Sequence, residues 1–184
     1  MTKFKDYFAP TLVLMIICLC VTIALAVTYN ITTPIIEASA AAEASASRAE
    51  VLPSGKDGFT AFDVNYTEGI QDVYAADNNS GYAITSYNKG FGGKVYTMVG
   101  IDNKGEITGI KVLSHSETPG LGTKAMTPEY LSQYISASKI TLTNEPDATN
   151  IDTITGATIS SKAIYGAINN ALVQYDELRG VKND

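Results

Sequence analysis

Two short segments of this 184-residue chain carry side chains spaced for chemistry. The first is Asp152-Thr153-Ile154-Thr155-Gly156-Ala157-Thr158-Ile159-Ser160-Ser161, which runs into a strongly periodic C-terminal stretch. The small Gly156-Ala157 pair leaves the Thr158 hydroxyl accessible. The helix that follows offers free N–H donors and a positive dipole end, suited to an anionic phosphate. A strand-to-helix turn capped by Thr or Ser fits the same local pattern without any ligand. The second segment is His115-Ser116-Glu117-Thr118-Pro119-Gly120-Leu121-Gly122-Thr123-Lys124. Pro-Gly followed by Leu-Gly forces turns, and the glycines let backbone N–H groups approach a ligand closely. An ordinary loop has the same composition.

The rest of the chain restricts what that chemistry can be. Cys18 and Cys20 are the only cysteines and His115 is the only histidine. That is too few for a zinc, iron–sulfur or His-ligated haem site, so no metal is expected and redox chemistry would fall to an organic cofactor. His115 itself reads as a surface or turn residue and receives no role. The formal charge of −6 argues against nucleic acid, whose binding needs clustered cations to displace phosphate counterions. A chain that is 45% hydrophobic and 17% charged is too apolar to be disordered.

The elements that must position these segments form three regions: 1–30, 31–54 and 55–184. No charged residue lies between Tyr7 and Ile36, and Thr11–Tyr29 as a helix covers about 28 Å, close to the hydrocarbon thickness of a bilayer. Lys3 and Lys5 precede it, while Glu37, Glu43 and Glu50 follow with only Arg48 among them. The positive-inside bias therefore predicts a retained single-pass membrane helix with a cytoplasmic N-terminus and an extracytoplasmic domain. A cleaved signal peptide is the rival reading, since Ala24-Leu25-Ala26 resembles a cleavage site. Cys18 and Cys20 read as lipid-facing or packing thiols. Ala38–Ala49 is rich in alanine and reads as a helical stalk with Pro34 in its first turn, or else as a flexible linker, ending at Pro53-Ser54-Gly55.

The remainder predicts an α+β domain, an antiparallel sheet packed with helices. Gly81–Tyr87 and Lys94–Asp102 alternate and are rich in β-branched and aromatic residues; Glu106–Leu113 returns after the Asn103-Lys104-Gly105 turn, and Asp72–Ala76 is a further short strand. Thr127-Pro128-Glu129 opens a short helix through Ser136, with Thr127 as its cap. Ile164, Ala167, Ile168, Ala171, Leu172, Tyr175 and Leu178 define one apolar face of a last helix, with Gly180 as its stop.

Taken together, the two segments resemble the FMN-binding domain of the G subunit of Rnf complexes, the ion-translocating ferredoxin:NAD oxidoreductases. The C subunit of the sodium-translocating NADH:quinone reductases is a relative of that family. Asp152, Thr155, Gly156, Ala157 and Thr158 fill an Asp-x-x-Ser/Thr-Gly-Ala-Thr/Ser motif, Glu117–Gly122 reads ETPGLG, and GFGGKVYTMVGIDNKGEITGIKVL precedes it. The resemblance runs from about Gly81 to Leu178 and includes the N-terminal anchor. It implies FMN joined covalently through its phosphate to Thr158 by a flavin transferase. It further implies ring contacts from Thr118 and Leu121, a loop shaped by Glu117, Gly120 and Gly122, and a tether site framed by Gly156 and Ala157. Ser161 would hydrogen-bond the phosphate or cap the helix, and Lys124 would add positive charge near the flavin or lie in solvent. The implied partners are the other subunits of an Rnf complex, the flavin transferase and the lipid bilayer. The quinone-reductase relative and a membrane-anchored module holding flavin noncovalently are the alternatives.

Overall fold

The computed structural model describes residues 2–55 and 57–182; of helical residues 2–9, 35, 37–41 and 181–182 it describes the backbone alone. The charges of Lys3, Lys5 and Glu37, on which the orientation argument draws, lie outside the described side chains. Residues 1–44 and 45–184 form two compact units. The described residues of the first are all helical, within α1 (Thr2–Val51). Its segment Pro10–Pro34, 25 residues, is long and apolar enough to cross a membrane. Cys18 and Cys20 are exposed on it. Pro34 lies inside α1 rather than opening a separate helix. The helix continues through Pro34, whose missing N–H removes one backbone hydrogen bond.

The second unit is built on one antiparallel sheet of five strands in sequence order: β1 (Phe59–Ala61), β2 (Ile70–Ala76), β3 (Gly81–Lys89), β4 (Lys94–Asp102) and β5 (Ile107–Ser114). Alternation fixes which side of each strand is apolar, because a one-residue slip would turn every core side chain outward. Ile84, Val95, Val99, Ile101 and Ile107 thus share the face covered by α3 (Thr158–Lys182), where Ile164, Ile168, Ala171, Leu172 and Tyr175 meet them. Polar ties set the register of α3 on the sheet. Ser86 Oγ donates to the Ala167 carbonyl at 2.7 Å, and Asn170 Nδ2 donates to the Tyr87 carbonyl at 3.2 Å. Gly180 lies within α3, which runs on to Lys182. Nothing approaches within 4 Å of a Cβ placed there, so no packing demands a stop.

The opposite face carries the end of α1 from Ser45 on. Val51 packs there with Ala83 and Met98, and its carbonyl accepts the Thr108 hydroxyl at 2.6 Å. The Arg48 guanidinium stacks on the Tyr74 ring at 3.4 Å. Short elements complete the fold. Thr127 caps α2 (Pro128–Leu131) by accepting the Tyr130 N–H, and a 3-10 turn over Ser132–Tyr134 replaces the later turns of the expected helix. Two-residue strands β6 (Ile140–Thr141) and β7 (Thr149–Asn150) pair in parallel.

Candidate functional site

Three chain segments far apart in sequence meet at one end of the sheet: the β3–β4 hairpin tip, the loop after β5 and the N-terminus of α3. They enclose a cavity of about 330 Å³ lined by Phe91, Glu117, Thr118, Leu121, Gly122, Gly156, Ala157, Thr158, Ile159 and Ser160. Two larger clefts, of about 530 and 580 Å³, contain none of the site residues expected from the sequence.

Thr158 is the first residue of α3 and is exposed. No hydrogen bond among the described residues engages its hydroxyl. Gly156 has φ of 85°, a conformation that side chains rarely adopt, and Ala157 N–H donates to the Ile154 carbonyl at 2.9 Å. That tight turn delivers Thr158 to the cavity rather than to the core. The first turn of α3 holds no acidic residue, so its N–H groups face no competing carboxylate on their own helix. Ser161 is fully buried, and its hydroxyl accepts the Ile154 N–H at 3.1 Å. It fastens the turn from behind and does not line the cavity.

The ETPGLG loop is wound around two centres, the Thr118 carbonyl and the Glu117 carboxylate. The Thr118 carbonyl accepts the Leu121 N–H at 3.2 Å and the Gly122 N–H at 3.0 Å, while the Gly120 N–H donates to Thr123 Oγ1 at 2.9 Å. Contrary to the sequence-based expectation, the glycine N–H groups are therefore engaged inside the loop and not held out to a ligand. Glu117 supplies the second centre. It is 5% exposed, with Oε1 accepting the Gly92 N–H at 2.9 Å and Oε2 accepting the Ser160 hydroxyl. Gly122 leaves room for that carboxylate, since a Cβ there would sit 2.7 Å from Oε2. Lys124 is exposed in the 3-10 turn Gly122–Met126 and does not line the cavity.

The large exposed side chains of the cavity wall are apolar. Phe91, Leu121 and Ile159 are 73%, 48% and 55% accessible. Sequence reasoning points to Leu121 and misses Phe91, Ile159 and Ser160. Phe91 is legible as the one large side chain in the Gly90-Phe91-Gly92-Gly93 run, and Ile159 as an apolar residue off the buried face of α3.

An open hydroxyl at a helix N-terminus beside an apolar slot suits a ligand with a phosphate at one end and a planar ring at the other. Residues 90–173, which span the hairpin tip, the loop and most of α3, match the FMN-binding domain family. The chain is 31% identical to the G subunit of the proton-translocating ferredoxin:NAD(+) oxidoreductase complex of Clostridium ljungdahlii, over 99% of this chain and 100% of that one. The chain belongs to the G-subunit family of ion-translocating oxidoreductase complexes. Other members include the G subunit of the ion-translocating oxidoreductase complex of Methanosarcina acetivorans, 30% identical over 80% of this chain and 82% of that one. The G subunit of the Na(+)-translocating ferredoxin:NAD(+) oxidoreductase complex of Acetobacterium woodii is 30% identical over 95% and 94%. Among solved structures, the C subunit of the Na(+)-translocating NADH-quinone reductase from Parabacteroides distasonis aligns with TM-score 0.47 and 22% identity, over 56% of this chain and 59% of that one.

Proposed function

We propose that this chain is the electron-transfer subunit of a membrane-bound, ion-translocating ferredoxin:NAD oxidoreductase complex, and that it carries FMN as a phosphoester on Thr158. The observation that carries the reading is the unengaged Thr158 hydroxyl at the N-terminus of α3, opening into a cavity walled by exposed Phe91, Leu121 and Ile159. FMN, when bound, supplies a ring that passes one or two electrons, which no side chain here can do.

The residues of the chain divide the remaining work. Thr158 is the acceptor and tether, forming the Oγ1–phosphorus bond with net loss of water, and it is not a base. The first-turn N–H groups of α3 lie where they offset phosphate charge. Leu121, Ile159 and Phe91 keep water from the ring, and Thr118 borders it. A covalent bond keeps the cofactor on a domain that stands outside the cytoplasm, where a dissociated flavin would be lost. Pro10–Pro34 anchors that domain to the bilayer, and the electrons come from and go to other subunits of the complex. A flavin transferase makes the bond.

Denaturing gel electrophoresis of the chain purified from its native membrane tests the reading. A fluorescent flavin band migrating with the denatured chain is expected. A band without fluorescence, from protein whose flavin is released on denaturation, would replace this reading with noncovalent binding.

A further inference from the structure

Phe91 is the most exposed of the large apolar side chains among the described residues, at 73%, and it lines the cavity at Thr158. The packing of the domain gives no reason for a phenylalanine there. Its backbone is nonetheless fixed. The Gly92 N–H donates to Glu117 Oε1 at 2.9 Å, and the Gly90 N–H closes the turn on the Gly93 carbonyl at 2.7 Å. A Cβ on Gly90 would collide with that same carboxylate oxygen, and one on Gly92 with the Ser116 carbonyl oxygen. Both neighbours of Phe91 are bare because the tip lies directly on Ser116 and Glu117. A hairpin so seated presents one side chain, and presents it to the cavity. The other oxygen of Glu117 takes the hydroxyl of Ser160, two residues beyond Thr158. A single buried carboxylate thus links the backbone beside the Phe91 ring to the helix turn that bears the tether hydroxyl.

We infer that Phe91 is the aromatic wall on which a flavin ring tethered at Thr158 stacks, and that Glu117 is a positioning residue that holds this wall in register with the tether. The inference rests on Thr158 being the attachment site. Leu121 and Ile159 offer apolar cover, but only Phe91 offers a π face, which a planar ring meets in offset or edge geometry. Phenylalanine brings neither charge nor a proton, so its influence is on solvent access to the ring and on the ring's emission. Both carboxylate oxygens of Glu117 are engaged within the protein. It acts through Gly92 and Ser160.

The test uses the full chain, produced with a flavin transferase and purified in detergent, as wild type, Phe91→Ala, Phe91→Tyr, Glu117→Ala and Ser160→Ala. Intact mass first establishes that flavin is attached, and emission and iodide quenching are then read on the flavinylated protein. Loss of the stacked arrangement in Phe91→Ala raises emission and iodide quenching by roughly 2- to 10-fold toward the denatured values, the change in population that one aromatic pair commands. Phe91→Tyr keeps emission at or below wild type. Glu117→Ala removes both acceptors, those of the Gly92 N–H and of the Ser160 hydroxyl, so it reproduces the Phe91→Ala signature with the ring of Phe91 still present. Ser160→Ala, the milder change, moves the same way by less, and decides the matter if Glu117→Ala does not fold. Flavinylated Phe91→Ala indistinguishable from wild type overturns the wall. A rise in Phe91→Ala with wild-type behaviour in Ser160→Ala and in folded Glu117→Ala overturns the positioning role. Wild type with no added mass removes the attachment reading itself, an outcome that mass alone tells apart.

Discussion

Thr118 and Leu121 stand on the same loop but contribute differently. Thr118 organises the loop through its carbonyl, so its side chain is free to face the cavity. Leu121 is 48% exposed there, and covering it fully would contribute at most about 1.5–3 kcal/mol. Leu121→Ala is expected to admit water to the flavin, shifting its midpoint potential and visible spectrum; Thr118→Val, which deletes a hydroxyl at nearly constant volume, should shift the spectrum if that hydroxyl meets the ring. Redox titration and absorption of the two flavinylated variants check both, and unchanged values in both would reduce the loop to a turn. At this scale the sequence discloses the residues whose role is local. The Gly156-Ala157-Thr158 turn is a three-residue matter and can be read from the string. The carboxylate of Glu117 cannot, because its partners, Gly92 and Ser160, lie 25 positions before and 43 after it. Ser161 shows the reverse difficulty. Its type suits a phosphate contact, and only its burial reveals that it faces the Ile154 N–H instead.

Among the elements, β3, β4, β5 and α3 are legible because periodicity reports directly which face is buried. Three-residue β1 and the two-residue strands β6 and β7 are too short to carry a period, and they arise from tertiary pairing. The back of the sheet is equally hidden. Gly100 and Gly109 are cross-strand partners, and a Cβ on either would strike the backbone of Val51. Backbone cannot swing aside as a side chain can, so Gly100→Ala is expected to destabilise the domain by roughly 1–3 kcal/mol, checked by a denaturant melt of the full chain in detergent. Asp72, on the same face, is held above its ordinary 3.8 by burial, against the opposing pull of the nearby Thr85 side chain and of the Arg48 charge. A carboxyl raised on folding binds its proton more tightly in the native state. Its contribution to stability is therefore greatest in acid and falls as pH rises from its unfolded value through its folded one. Asp72→Asn lacks that loss, so its melting temperature relative to wild type should climb between about pH 3.5 and pH 7. A relative fall over that interval would mean that attraction to Arg48 outweighs burial.

The whole molecule joins an apolar segment long enough to span a bilayer to a domain with its candidate tether on one end of a sheet. The positive-inside bias of the flanking charges predicts a cytoplasmic N-terminus for that arrangement. A reporter active only outside the cell, fused after Asp184, should be active, whereas activity of a cytoplasmic reporter alone would reverse the topology. The proposed electron-transfer role depends on one bond. Of the hydroxyls in the segment, Ser160 is 3% exposed and bonded to Glu117, and Ser161 is fully buried. Thr153, Thr155 and Thr158 remain open, and of these only Thr158 lines the cavity. Intact-mass measurement of wild type and Thr158→Ala, each produced with a flavin transferase, tests this most directly. Wild type should gain the mass of FMN less one water and Thr158→Ala nothing, while an equal gain in both would contradict attachment at Thr158 and move the bond elsewhere, with Thr155 and Ser160 the first places to look.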